Sequence, residues 1–137
     1  MEANAQTPNP TASILVVDDE PEERKAIRAL LEEAGFAAET VGDGEAALAR
    51  LKVSRPALFI VDLMMPGMDG FALIKAVRHD PSLQDLPTIL LTHRTTPLDG
   101  PGCGADMYLP KPFNPKELLA FVKRLLSTGT TRWDVYT

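Results

Sequence analysis

The sequence predicts an open, doubly wound α/β fold, in which helices cover both faces of a parallel sheet. Short apolar runs alternate with amphipathic segments along most of the chain, the pattern of repeated β-α units. The run ALFIV at residues 57–61 is apolar throughout, as expected of a strand that is buried on both faces. The length of 137 residues, 45% of them hydrophobic, suits one domain of this class.

The N-terminal half contains two β-α units. SILVV at residues 13–17 predicts the first strand, and Pro21 suits the first position of a helix that Gly35 ends. A short strand is predicted at residues 36–41. The second helix runs from Gly44 to about Val53, after Asp43 as its N-cap.

The C-terminal half supplies three more strands and two more helices. We place the strands at residues 57–61, 88–91 and 107–109, and one helix at about residues 70–78. The last helix follows Asn114, which suits an N-cap because Pro115 takes the first helical position and Glu117 the place of a capping-box carboxylate.

Composition narrows the class of protein. The formal net charge is −5 and basic residues form no run, so we expect no direct binding of nucleic acid. The single Cys leaves no intramolecular disulfide, and neither an apolar stretch of about 20 residues nor an apolar signal core is present. We therefore expect a soluble, cytoplasmic domain without membrane contact, at residues 13–127, between polar tails at residues 1–12 and 128–137.

Polar residues follow the predicted strands at the edge where α/β sheets bind ligands. Asp18 and Asp19 follow the first strand, Asp62 the third, Thr92 the fourth and Lys111 the fifth. Carboxylates gathered there would raise one another's pKa unless a cation joined them, and Mg²⁺ prefers such oxygen ligands. With a hydroxyl and an ammonium, the set suits a phosphoryl group on or beside a carboxylate. Alone, Asp18 and Asp19 would equally suit the positive end of a helix.

Four sequence blocks, taken together, resemble the receiver domain of two-component response regulators. They are VVDDE at 16–20, VDLMMPGMDG at 61–70, LLT at 90–92 and YLPKPF at 108–113. Their order and spacing fit over residues 13–127. The resemblance implies a flavodoxin-like sheet of five parallel strands in the order 2-1-3-4-5.

The resemblance also implies a role for each site residue. Asp62 is implied as the phosphoacceptor, and Thr92 and Lys111 as ligands of the phosphoryl oxygens. Asp19 is implied as a direct Mg²⁺ ligand, with Asp18 acting through water. The implied metal site also includes Asp62 itself and the backbone carbonyl of Met64.

Two further positions concern the switch and the peptide geometry. Tyr108 matches an aromatic residue whose ring turns inward when Thr92 moves towards the phosphate, although a static, half-buried aromatic is the alternative. The Lys111–Pro112 bond is implied to be cis.

The implied function is acceptance of a phosphoryl group from a sensor histidine kinase or a phosphotransfer protein, which switches binding to a downstream protein. We expect a monomer that is not an independent enzyme. The alternative is an adaptor that keeps the fold but signals by constitutive protein binding.

Two departures from the family pattern follow Thr92. The next residue is usually small in receivers, but here it is His93, which would either narrow access to the phosphoryl group or donate a hydrogen bond near it. The span from His93 to Met107 contains Pro97, Pro101 and three glycines, which disfavour a helix interior by several kcal/mol (~1 for glycine and ~3 for proline). We expect the family's fourth helix, between the fourth and fifth strands, to be absent or much shortened.

Overall fold

A computed structural model describes residues 12–93 and 104–128. Within these ranges the chain forms a five-stranded parallel sheet in the order β2-β1-β3-β4-β5, which confirms the predicted fold class and strand order. The strands are β1 Ser13–Val17, β2 Ala37–Val41, β3 Leu58–Asp62, β4 Thr88–His93 and β5 Met107–Lys111. The helices in the described ranges are α1 Pro21–Glu33, α2 Gly44–Val53, α3 Gly70–His79 and α4 Pro115–Thr128.

The hydrophobic core consists of one layer on each face of the sheet. Alternate strand residues point to opposite faces, so neighbours such as Val16 and Val17 belong to different layers. On one face the strands pack against α1 and α4, through residues such as Leu31 and Leu118. On the other face they pack against α2 and α3. Helices on both faces explain why β3 is buried along its whole length.

The helix ends follow the predicted capping chemistry. Asp43 caps α2 by accepting a hydrogen bond from a backbone N–H at 2.8 Å. At α4 the Asn114 side chain accepts from the N–H of Lys116 at 2.8 Å, and Glu117 accepts from the N–H of Asn114 at 3.1 Å. Glu117 thus completes the predicted capping box.

The last two strands extend two residues beyond their predicted ends. The ladder between β4 and β5 includes His93 opposite Lys111, because backbone hydrogen bonds continue where the side chains become polar. The Lys111–Pro112 bond is cis, as the resemblance implied.

Several predictions fall outside the described residues. They concern residues 94–103 of the span in which a helix was expected to be missing, and almost all of the two predicted tails. None of the helices in the described part of the chain is long and apolar enough to cross a membrane.

Candidate functional site

The sheet brings four of the predicted site residues to one edge. Asp18 follows β1, Asp62 ends β3, Thr92 is the last but one residue of β4, and Lys111 ends β5. Because these strands are parallel neighbours, their carboxyl ends meet. The Lys111 Nζ atom lies 3.1 Å from Asp62 Oδ1 and 3.8 Å from Asp18 Oδ2. The structure thus places these four predicted residues at the same edge of the sheet.

Three of these polar residues are buried. Asp18 is 0% exposed, Asp62 3% and Thr92 1%. The Asp18 Oδ2 and Thr92 Oγ1 atoms are buried without a hydrogen-bond partner among the described residues. Buried polar atoms are nearly always paired in native proteins, so these two indicate a site prepared for a ligand.

Local backbone contacts fix the position of Asp18. Its Oδ1 atom accepts a hydrogen bond from the N–H of Glu20 at 2.9 Å. The Arg24 guanidinium donates to the backbone carbonyl of Asp18 at 2.8 Å. The second carboxylate oxygen, Oδ2, faces Lys111.

The structure adds a carboxylate that the sequence analysis did not single out. Glu23, in the first turn of α1, pairs with Lys111 at an Oε1–Nζ distance of 2.5 Å. Glu23, Asp18 and Asp62 each offer a carboxylate oxygen within 4.8 Å of the other two. The available signal was a helix beginning at Pro21, which places Glu23 in its first turn, shortly after Asp18. An acidic first turn is, however, also what any helix favours.

Burial raises the pKa of both aspartates. The pKa of Asp18 rises to about 8 because of burial first, then the closeness of the Glu23 carboxyl group, and also the charge of Asp62, against opposing contacts to Glu20 and Lys111. Burial likewise raises the pKa of Asp62, although Lys111 works in the opposite direction. Without a cation, the pocket therefore favours a proton on a carboxyl group.

The pKa values of Lys111 and Glu23 shift in the direction that favours their charged forms. Burial opposes the charge of Lys111, but contacts with Glu23, Asp62 and Asp18 outweigh it and raise the pKa of the ammonium. Burial also works to raise the pKa of Glu23. The closeness of the Asp18 carboxyl group, the hydrogen bond from Lys111 and the charges of Lys111 and His93 outweigh it and lower the pKa.

The remaining predicted site residues lie around this cluster. Asp19 is half-buried, and the Met64 side chain is 56% exposed. Tyr108 is half-buried and packs against the core layer that lies between the sheet and helices α2 and α3. His93 is exposed at the end of β4. Their individual roles stay predictions.

Gly70 allows the start of α3 to pack closely against the backbone at the end of β3, where Asp62 lies. Gly70 begins α3, and its N–H donates to the carbonyl of Leu63 at 2.9 Å. A Cβ atom on Gly70 would lie 2.8 Å from the Asp62 carbonyl oxygen and 2.8 Å from the Leu63 Cα. Only a residue without a side chain allows α3 to start this close to the end of β3.

The donor set suits a small, hard cation. Carboxylate oxygens are the ligands that Mg²⁺ prefers, and it commonly takes one or two of them together with water and phosphate oxygens. The unpartnered Asp18 Oδ2 is an oxygen for which such an ion would supply the missing partner. The residues present therefore fit Mg²⁺.

Known proteins with similar sequences belong to the same family as the one that the four sequence blocks resemble. The family model for the response regulator receiver domain matches residues 14–123. The chain is 40% identical over 116 residues to the DNA-binding response regulator MtrA of Mycolicibacterium smegmatis, covering 82% of this chain and 50% of that protein. It is also 40% identical over 119 residues to the response regulator Rre1 of Synechocystis, covering 84% of this chain and 52% of that protein.

Solved structures agree in fold. The chemotaxis response regulator CheY4 of Vibrio cholerae matches with a TM-score of 0.79 and 39% identity, over 85% of this chain and 99% of that one. A signal receiver domain of a histidine kinase from Syntrophus aciditrophicus matches with a TM-score of 0.78 and 38% identity, over 86% of this chain and 92% of that one. The chain spans about half the length of the curated relatives. Because one of these is named as DNA-binding, the relatives do not support the expected exclusion of nucleic acid.

Proposed function

The chain belongs to the response regulator receiver family, and from that premise we propose that it accepts a phosphoryl group on Asp62 in a Mg²⁺-dependent reaction. The donor is a phosphohistidine of a sensor histidine kinase or a phosphotransfer protein. The observation that carries the proposal is the buried Asp62 carboxylate, 3.1 Å from the Lys111 ammonium and beside an unpartnered Asp18 oxygen.

The divalent cation has a ligand set ready in the described residues. Asp18 and Asp62 supply carboxylate oxygens, and the resemblance adds Asp19 and the carbonyl of Met64. When bound, Mg²⁺ supplies positive charge that neutralises the phosphoryl oxygens and the clustered carboxylates. Burial raises the pKa of Asp62, and the neighbouring Lys111 ammonium lowers it and so favours the ionised carboxylate that acts as nucleophile.

The transfer itself needs one bond formed and one broken. A carboxylate oxygen of Asp62 attacks the phosphorus of the phosphohistidine, the new O–P bond forms, and the P–N bond breaks with its electron pair leaving on the imidazole. The Lys111 ammonium is placed to hold a phosphoryl oxygen. The Thr92 hydroxyl has no hydrogen-bond partner among the described residues, so we expect it to donate a hydrogen bond to another phosphoryl oxygen.

The same contacts suggest how the phosphorylated state is signalled. Thr92 lies next to His93 at the end of β4, so drawing its hydroxyl towards a phosphoryl group shifts the end of this strand. Tyr108 of β5 pairs with Leu90 in the adjacent ladder and is the proposed second switch residue. A phosphoryl group favours whichever arrangement gives it the better contacts, and a downstream protein binds that arrangement.

Incubation with Mg²⁺ and phosphoramidate, followed by intact mass spectrometry, tests the proposal. We expect one phosphoryl group per chain in the wild type and none in Asp62→Asn. Asp69→Asn is a matched control, since it changes an exposed aspartate of the same loop that caps α3 and should leave uptake intact. No uptake by the folded wild type would instead favour the constitutive adaptor.

A further inference from the structure

The ion pair between Glu23 and Lys111 is not explained by phosphoryl transfer. Lys111 is the residue expected to hold a phosphoryl oxygen, yet its ammonium is closest to Glu23, at 2.5 Å. Asp62 Oδ1 lies at 3.1 Å and Asp18 Oδ2 at 3.8 Å. An ammonium has three N–H donors, and three carboxylates already surround this one.

A phosphoryl group on Asp62 has to share this ammonium with the carboxylates. Its oxygens need a donor from Lys111, so they compete for this ammonium with Glu23, which accepts its shortest hydrogen bond. Asp18 and Asp62 have side chains only 0% and 4% exposed, whereas the Glu23 side chain is 30% exposed. Of the three, Glu23 therefore has the clearest route to water, where its charge is well solvated.

Glu23 also adds a negative charge next to the expected position of the phosphoryl group. Like charges at such distances repel, and more strongly in a partly buried pocket than in water. The unpartnered Thr92 hydroxyl and Asp18 oxygen mark the same pocket as prepared for a ligand. Within the described part of the chain, the ammonium of this pocket is that of Lys111, and it is already paired with the Glu23 carboxylate.

We propose that Glu23 is a built-in competitor of the phosphoryl group for Lys111. This inference rests on the proposed function, and it deepens that function by naming a residue that restrains it. In the resting state Glu23 holds the ammonium, and phosphorylation of Asp62 displaces Glu23 towards solvent. No bond is made or broken by Glu23, which is a positioning residue that acts through Lys111.

The substitution Glu23→Gln tests the proposal because it keeps the size of the side chain and removes its charge. Glu22→Gln is the matched control, since Glu22 lies in the same turn of α1 and is exposed. The probe is beryllium fluoride, an anionic mimic of the phosphoryl group, titrated at saturating Mg²⁺ and followed by amide chemical shifts. Mg²⁺ is titrated alone in a second series.

We expect Glu23→Gln to bind beryllium fluoride about tenfold more tightly than wild type, a factor that corresponds to ~1.4 kcal/mol. We expect faster phosphorylation by phosphoramidate and weaker binding of Mg²⁺. Opposite changes for the anion and the cation are the signature of a lost negative charge, because a loosened fold would weaken both. Glu22→Gln should match the wild type in all three measurements.

Other outcomes overturn the inference. Anion affinity in Glu23→Gln that equals or falls below the wild-type value would show that Glu23 does not compete for Lys111. Failure of the proposed function gives a different result, in which wild type, Glu22→Gln and Glu23→Gln all bind Mg²⁺ but neither bind beryllium fluoride nor take up a phosphoryl group. That result would refute both the proposed phosphoryl acceptance and the role of Glu23 as a competitor.

Discussion

Arg78 bonds to the segment that leads into β5, the strand that carries Lys111. Its substitution tests whether these bonds stabilise the fold around the site. Its guanidinium, at the end of α3, donates to the carbonyls of Gly104, Gln84 and Leu86 at 2.9, 3.0 and 2.9 Å. It also pairs with Asp106 at 3.3 Å. One side chain therefore connects α3 to the loop before β4 and to the residues just before β5, which carries Lys111.

The substitution Arg78→Met removes these donors while keeping much of the apolar stem. The Asp106 side chain is only 11% exposed, so its carboxylate would lose its cation with little access to water. Breaking a fully buried ion pair costs about 3–5 kcal/mol, and this pair is part-buried. Because Asp106 keeps a hydrogen bond from the N–H of Thr88 at 2.8 Å, we expect a loss near the lower end, about 3 kcal/mol.

Urea unfolding followed by circular dichroism measures this loss, and Arg28→Met is the matched control. Arg28 pairs with Glu32 at 3.1 Å, but its side chain is 53% exposed, so its removal should cost less than ~1 kcal/mol. In thermal unfolding Arg78→Met should lower the midpoint by roughly 10 °C. Similar free energies of unfolding for the two variants would refute the assignment of Arg78 as the connecting residue.

Three further predictions concern the pocket. Gly70→Ala should cost about 2 kcal/mol in urea unfolding, because its Cβ meets backbone atoms at 2.8 Å, and should reduce phosphoryl uptake per folded molecule; a wild-type result in both would contradict the close approach. His93→Ala should change the rate of phosphorylation or dephosphorylation measured with phosphoramidate, and equal rates would remove His93 from the site. Without Mg²⁺, the thermal midpoint should fall as pH rises from 6 to 9, because the folded-state pKa of Asp18, about 8, lies above its ordinary value of 3.8 and the unfolded chain has already lost that proton. Asp18→Asn should flatten this dependence, and an unchanged slope would show that other groups cause it.

The sheet was predictable because each strand shows its burial in its own residues. Runs such as residues 58–61 are apolar throughout, and polar residues mark the edge where they end. The strand order came from the resemblance, since composition alone does not say which strands are neighbours. The ends of β4 and β5 were predicted two residues short, because ladder hydrogen bonds join backbone atoms whatever the side chain, as between His93 and Lys111.

Contacts between distant elements were harder to foresee. Glu23 and Lys111 are 88 residues apart, and a glutamate in a first helical turn looks like an ordinary complement to the helix dipole. The acceptors of Arg78 are mostly backbone carbonyls, which every residue possesses. In both cases the missing information was the position of a side chain relative to another element, and neither apolar periodicity nor capping residues determine it.

The charges in the pocket explain why a carboxylate on α1 matters more than its exposure suggests. When ionised, Asp18, Glu23 and Asp62 surround the one ammonium of Lys111 and leave two negative charges uncompensated, which one divalent cation balances. Phosphorylation then converts the Asp62 carboxylate, with one negative charge, into an acyl phosphate with up to two, while Lys111 is the one cation that contacts these carboxylates among the described side chains. Asp18 is buried and Asp62 carries the new group, so the excess is relieved most readily by moving Glu23 out to water. Restraint of phosphorylation and tight holding of the cation thus follow from the same carboxylate, and the two properties cannot be changed independently at this position.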